Sequence, residues 1–277
     1  MVMNCMRLLL VLFLLVLAAV GYSQDIPEDA FAFSGNNTDW TPIERVFDGV
    51  TMVLVPAGCF TMGIEAEDNM TEQAHEVCIE RPFWIDKTEV TQRDFARLGG
   101  IKAEPNAFEG EERPVDSISW FEAQMFCQQR GGRLPTEAEW EFAARGPEGW
   151  RYPWGDNWDA EKLFAGENKD AWNWWAYQGT AAVGSMPQGA SWVGALDMSG
   201  NVWEWTSSLL APYPYEANDG READTGGRID VFRVLRGGSW FELRPEVFSG
   251  AFREWHRPDH RDISYGFRCV RVIETAE

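Results

Sequence analysis

The run Met52-Val-Leu-Val-Pro-Ala-Gly-Cys-Phe-Thr-Met-Gly63 is apolar or alternating throughout, which predicts a strand ending at Gly63. After the acidic loop 65–76, a second alternation from Val77 to Ile85 predicts another strand. Thr91 then caps a helix through Leu98, stopped by Gly99-Gly100. Two capping boxes follow, in which a hydroxyl and a glutamate three residues on satisfy each other's orphan backbone donors. Ser119-Trp-Phe-Glu122 opens a helix to Arg130, and Thr136-Glu-Ala-Glu139 opens one ending at Gly146. No helical period survives from Pro147 to Asp197, where turn residues alternate with tryptophans. Short strand patterns at Asn201–Ser207, Val231–Trp240 and Tyr265–Ile273 complete the chain. The region reads as one mixed α+β domain with little regular structure.

The amino terminus breaks this pattern. Arg7 precedes thirteen apolar residues, Leu8 to Val20, and then Gly21, Tyr22 and Ser23. That length suits a signal peptide over residues 1–23 and falls short of the roughly 20 residues of a membrane span. The expected product is a secreted or periplasmic protein without a stable span. It has a polar lead over 24–49, poorly ordered to about Thr41, and a domain over 50–273. An uncleaved anchor is the competing reading.

Composition then narrows the function. The 277 residues carry a net charge of −20, or −21 once residues 1–23 and their single arginine are removed. So acidic a chain is a poor partner for nucleic-acid phosphates. Export also changes the cysteine arithmetic, because only Cys59, Cys78, Cys127 and Cys269 remain. In an oxidising compartment these read as two disulfides, with three pairings open in principle. A short-range bridge joins Cys59 to Cys78 if their strands are neighbours, which leaves Cys127 for Cys269. No closely spaced Cys-x-x-Cys or histidine pair supports zinc.

Five segments occur in the order seen in formylglycine-generating enzymes. They are Gly132-Arg-Leu-Pro-Thr-Glu-Ala-Glu-Trp-Glu-Phe-Ala-Ala-Arg-Gly146, Tyr152-Pro-Trp-Gly155, Asp197-Met-Ser-Gly-Asn-Val-Trp-Glu-Trp205, Arg236-Gly-Gly-Ser-Trp240 and Gly266-Phe-Arg-Cys-Val-Arg271. From about Val50 to Val272 the chain resembles that sulfatase-modifying-factor family. The resemblance implies a C-type-lectin-like α+β fold and matches Cys127 and Cys269 to a family disulfide. It also implies a calcium site made by Asp197, the carbonyls of Gly200 and Val202, and Glu204. Hard oxygens from two acids around a glycine turn suit that ion. A second family calcium site falls near 165–177, where the chain is shortened and Trp-rich and Asn168 and Asp170 are candidate donors.

The departures from the family are as informative. Its oxidases bind Cu(I) through two cysteines shortly after the Gly-Gly-Ser-aromatic motif, and soft thiolates are what Cu(I) selects. Counted from Ser239, those places hold Glu242 and Val247, and no cysteine lies between Trp240 and Arg268. Copper is therefore not expected, nor is oxidation of cysteine to formylglycine. Ser239, Trp240 and Glu242 become candidates for lining a remodelled cleft that takes an extended peptide or protein ligand. The alternative is an oxidase or another metal-dependent enzyme using that cleft. Residues 233–271 also hold eight arginines against five acids. They read either as an anion-receiving surface or, more simply, as ion pairs and Trp-stacked braces for irregular loops. His256 and His260 are four apart, but Pro258 between them argues against a helix that would align them, and surface histidines are the simpler reading.

Overall fold

The computed structural model describes residues 26–65, 73–165 and 179–273. The expected signal peptide and the residues Asn168 and Asp170 lie outside the described residues. In chain order the strands are β1 (Glu44–Phe47), β2 (Val50–Val55), β3 (Gly58–Met62), β4 (His75–Ile79) and β5 (Phe83–Asp86). Three helices follow, α1 (Gln92–Arg97), α2 (Trp120–Gln129) and α3 (Glu137–Arg145). The rest is β6 (Trp203–Leu209), β7 (Arg233–Arg236), β8 (Glu254–His256), β9 (Tyr265–Gly266) and β10 (Val270–Val272). They form sheets ordered β1-β2-β5-β10, β3-β4 and β8-β7-β6-β9. The expected mixture of short strands, few helices and long loops is what the chain adopts.

Both long strands predicted from the pattern are divided. Pro56 has no N–H to continue a ladder, so β2 ends at Val55 and β3 restarts at Gly58 in a different sheet. The second alternation breaks in the same way at Glu80-Arg81-Pro82, between β4 and β5. Alternation alone could not distinguish one strand from two joined by a proline corner. The last two strand patterns are also shorter than expected, because β7 ends at Arg236 and Phe267–Cys269 separates β9 from β10.

The lead segment is part of the folded body. β1 pairs antiparallel with β2 through Asp48-Gly49, both at positive φ (53° and 79°), a two-residue hairpin turn that the Asp-Gly pair favours. Upstream, Phe33 N–H donates to Ala57 O at 2.9 Å and Ala57 N–H to Ala30 O at 2.7 Å, which seats the lead on the Pro56 corner. Trp40 is buried there against Phe33 and Trp192.

The helix starts match the capping chemistry. Thr91, Ser119 and Thr136 each accept from the N–H three residues on, and the last two form complete capping boxes. α3 is buried almost all round, which places its charged residues inside the protein. The tryptophans hold the loops in place. Trp120, Trp192 and Trp205 donate their indole N–H to the carbonyls of Thr206, Phe142 and Ile118, at 2.8, 2.8 and 3.0 Å, each across 50 or more residues of sequence. Large apolar side chains that also donate one bond suit a fold whose loops must be tied one by one. Two bridges, Cys59–Cys78 and Cys127–Cys269, join β3 to β4 and α2 to the segment before β10.

Candidate functional site

The loop from Asp197 to Val202 has the backbone of a built turn. Asp197, Gly200 and Asn201 all lie at positive φ (56°, 90° and 57°). A Cβ at Gly200 would stand 2.5 Å from the Phe164 carbonyl, so this position requires glycine. Backbone bonds staple the loop to the Gly237-Gly238-Ser239-Trp240 motif: Gly200 N–H donates to Gly237 O at 2.9 Å, and Trp240 N–H to Asn201 O at 2.8 Å. Two sequence blocks about forty residues apart are thus one piece of architecture.

The acids of this loop have different partners. Glu204, fully buried on β6, receives both nitrogens of the Arg268 fork at 2.6 and 2.7 Å and the Trp140 indole at 2.9 Å. Asp197 accepts the Gly184 N–H at 2.5 Å. Beside it stands Glu89, 1% exposed, whose oxygens meet no N–H or hydroxyl donor and which, when protonated, can hydrogen-bond to Asp197. Burial drives the Glu89 pKa well up, and the charges of Asp197 and Glu204 push it further, against the pull of Arg268. Asp197 is raised too, by burial first, with the Gly184 N–H and Arg268 opposing.

A pair of buried carboxylates short of positive charge is the environment a hard cation stabilises. Asp197 and Glu89, with the Gly200 and Val202 carbonyls on the same turn, offer hard oxygen donors of the kind calcium prefers. Glu204 fits less directly, because its two oxygens already serve Arg268. Among the described residues no group of three or more His, Cys, Asp or Glu side chains is arranged to hold a metal, so main-chain oxygens would have to complete the shell. Sequence reading missed Glu89. Its available signal was an acid set directly against the buried Val90-Thr91.

The cleft candidates are mostly interior. Ser239 is fully buried, with its Oγ 3.3 Å from the Phe241 N–H. Trp240 is 2% exposed and packs edge-on against Phe108 and Phe241. Glu242 alone is partly accessible. It accepts the Trp203 indole N–H at 3.3 Å, and burial raises its pKa. Val247, at the second copper position, is buried in a turn of 310 helix. All four cysteines among the described residues are spent in disulfides.

Four of the eight C-terminal arginines, Arg233, Arg236, Arg253 and Arg268, are buried braces. Arg236 donates to Glu141 at 2.6 Å, Arg253 reaches Glu137 at 2.9 Å, and Arg268 holds Glu204. Arg233 lies 4.1 Å over the Trp120 ring, and burial lowers its pKa to about 10. Arg257, Arg261 and Arg271 pair with Asp259, Glu122 and Asp48. The simpler reading of the arginine cluster therefore holds for these residues. His256 and His260 do meet, stacked at 4.1 Å beside Tyr265. A turn closed by His260 N–H to Arg257 O achieves without a helix the approach that Pro258 argued against.

A groove of about 460 Å³ lies elsewhere, between β4 and the segments around Arg133 and Tyr215, and includes none of Ser239, Trp240 or Glu242. Among the described residues no helix is long and apolar enough to cross a membrane.

Comparison with known proteins agrees with this architecture. Hercynine oxygenase of Mycolicibacterium smegmatis is 34% identical over 284 residues, 79% of this chain and 61% of that protein. The chain spans between 37% and 61% of the length of the hercynine oxygenases it matches. The mouse protein named inactive C-alpha-formylglycine-generating enzyme 2 is 30% identical, over 79% of this chain and 85% of its own length. Among solved structures, PvdO from Pseudomonas aeruginosa superposes with a TM-score of 0.66 at 23% identity, covering 87% of this chain and all of PvdO, which supports the lectin-like α+β fold. The sulfatase-modifying factor enzyme 1-like domain family matches residues 38–273. With that match over most of its length, the chain belongs to the sulfatase-modifying factor enzyme 1-like family.

Proposed function

We propose that this is an exported, calcium-stabilised member of the family that binds a peptide or protein ligand and does not oxidise cysteine. The observation that carries the reading is the cysteine inventory. Where a dithiolate copper site would stand there are a hydrogen-bonded Glu242 and a buried Val247, and each cysteine of the described residues is bonded to another. A carboxylate and an alkyl group cannot supply two soft thiolates. Relatives named inactive, similar over four-fifths of the chain, favour the same reading. The paired cysteines favour an oxidising compartment.

Calcium bound at Asp197 and Glu89 would neutralise carboxylate charge and tie β6 and its preceding loop to the segment before α1. The chain's own residues then do the rest. Arg268 holds Glu204 and the Leu196 carbonyl (2.8 Å), and Ser199 anchors to Phe248 O (2.8 Å), so the loop is fixed from both sides.

The test is incubation of the purified protein with a Cys-x-Pro-x-Arg peptide, read by mass spectrometry, alongside copper analysis. No formylglycine and no stoichiometric copper are expected. Stoichiometric Cu(I) with formylglycine product would overturn the proposal and return the oxidase reading.

A further inference from the structure

The two disulfides differ in access. Cys127 and Cys269 are 0% and 2% exposed, inside the core with Phe126 and Phe267. Cys59 and Cys78 both face solvent and sit directly opposite each other across the β3-β4 ladder. Cys78, and not Cys59, lines the groove of about 460 Å³, together with Val77, Arg133, Tyr215 and Glu222. β3 and β4 form a sheet of only two strands, yet Phe60, Met62 and Val77 anchor them in the core, so opening the bridge would leave the hairpin packed. Exposed disulfides are the ones open to exchange, since a thiolate must reach one sulfur directly.

We propose that Cys59–Cys78 is a thiol–disulfide exchange site, with the groove as the entry path for a thiolate donor and Cys78 as the sulfur attacked. The donor thiolate forms a bond to Cys78 Sγ. The Cys59–Cys78 bond breaks, and its electron pair leaves on Cys59 Sγ, which takes a proton from water. A second donor thiolate attacks the donor sulfur of this mixed disulfide and releases Cys78. In sum, two donor thiols become one disulfide, while Cys59 and Cys78 become thiols. The buried bridge is out of reach of the same donor until the protein unfolds.

The experiment uses the full chain with reduced glutathione in one arm and a Cys-Gly-Pro-Cys peptide in the other, at matched thiolate concentration. Differential alkylation and mass spectrometry follow each cysteine, and tryptophan fluorescence reports on the fold. Cys59–Cys78 is expected to open at least tenfold faster than Cys127–Cys269 with unchanged fluorescence, and the trapped glutathione to sit on Cys78. The faster arm identifies the donor as a small thiol or a peptide dithiol. Equal rates for the two bridges, or opening only with loss of fluorescence, would overturn the proposal, as would glutathione found on Cys59. Ala217→Trp, at an exposed rim residue of the groove, is expected to slow exchange several-fold. An unchanged rate would remove the groove from the scheme.

Discussion

The buried acids of α3 and those around Asp197 are equally far from water but differently supplied with cations. Glu137 faces Arg221, Arg236 and Arg253 at 3.4, 3.6 and 2.9 Å, while Glu141 faces Arg236 at 2.6 Å, Arg145, and the Gly63 N–H at 2.7 Å. Despite complete burial, those partners hold the Glu141 pKa below its ordinary value. Around Asp197 three acids share one buried guanidinium, Arg268, and Glu89 has no N–H or hydroxyl donor. The first group is rich in cations, with Arg145, Arg221, Arg236 and Arg253 around two carboxylates, although burial still outweighs them at Glu137, whose pKa is raised. The second has negative charge left over, and the same burial that is tolerated at Glu141 raises the pKa at Glu89. Total acidity does not distinguish the two; local cation count does. That difference is why the calcium proposed above is assigned to the second group and not to the first.

The comparison can be broken at its strongest point first. Glu141→Ala strands Arg145 and Arg236 inside the core, and breaking a buried pair on one side costs about 4 kcal/mol. A chemical-denaturation series should show this, and a loss under about 1 kcal/mol would mean that Glu141 is not what compensates these guanidiniums. Removing calcium comes next. At an ion concentration 100-fold above Kd, binding contributes about 2.7 kcal/mol, so a chelator should lower the Tm of the wild type. Asp197→Ala should abolish that shift; a wild-type melt indifferent to chelator would count against the site.

Glu89→Gln sharpens the same contrast. In chelator at neutral pH it removes a buried carboxyl whose ionisation the fold opposes and should stabilise the protein by about 1–2 kcal/mol, while also weakening any calcium response. The sign with pH follows from the raised pKa. The wild-type penalty is complete above the folded-state pKa and absent below the unfolded one, so the gain from Gln should shrink as the pH falls toward 4.5. A gain that is constant with pH would point to packing.

An effect of similar size comes from outside both groups. Burial alone would raise Glu122, but Arg261, the Ser119 N–H and hydroxyl, and the Ala103 N–H overcome it and hold the pKa at about 2. Glu122→Gln should therefore cost about 1–2 kcal/mol at neutral pH. For a depressed acid this stability is present above the unfolded value of 4.5 and is lost as pH falls through about 2, so wild type and variant should converge there. Acid titrations that stay parallel would refute the assignment.

Several of these features could be read along the chain. The caps at Thr91, Ser119 and Thr136 are local chemistry, three residues apart, and needed no tertiary information. The cysteine pairing also came through, because a four-member set offers few choices and the two partners of the short bridge lay in adjacent strands. The proline corners were less legible, since an apolar run looks the same whether one sheet or two receives it. Glu89 was invisible for a related reason. An acid beside a helix cap usually faces water, and only the approach of residues 197 and 204, more than a hundred positions away, makes its isolation costly.

By itself the sequence determined the family, the helix starts, the even set of four cysteines and the absence of thiolates at the copper positions, all of which rest on residue identity at fixed spacing. Only the tertiary structure decided which acids have cations, which disulfide faces a groove, and that Ser239 and Trp240 lie in the interior. Those properties depend on distance and burial between segments far apart in the chain, and in a fold held by loops no local period encodes them.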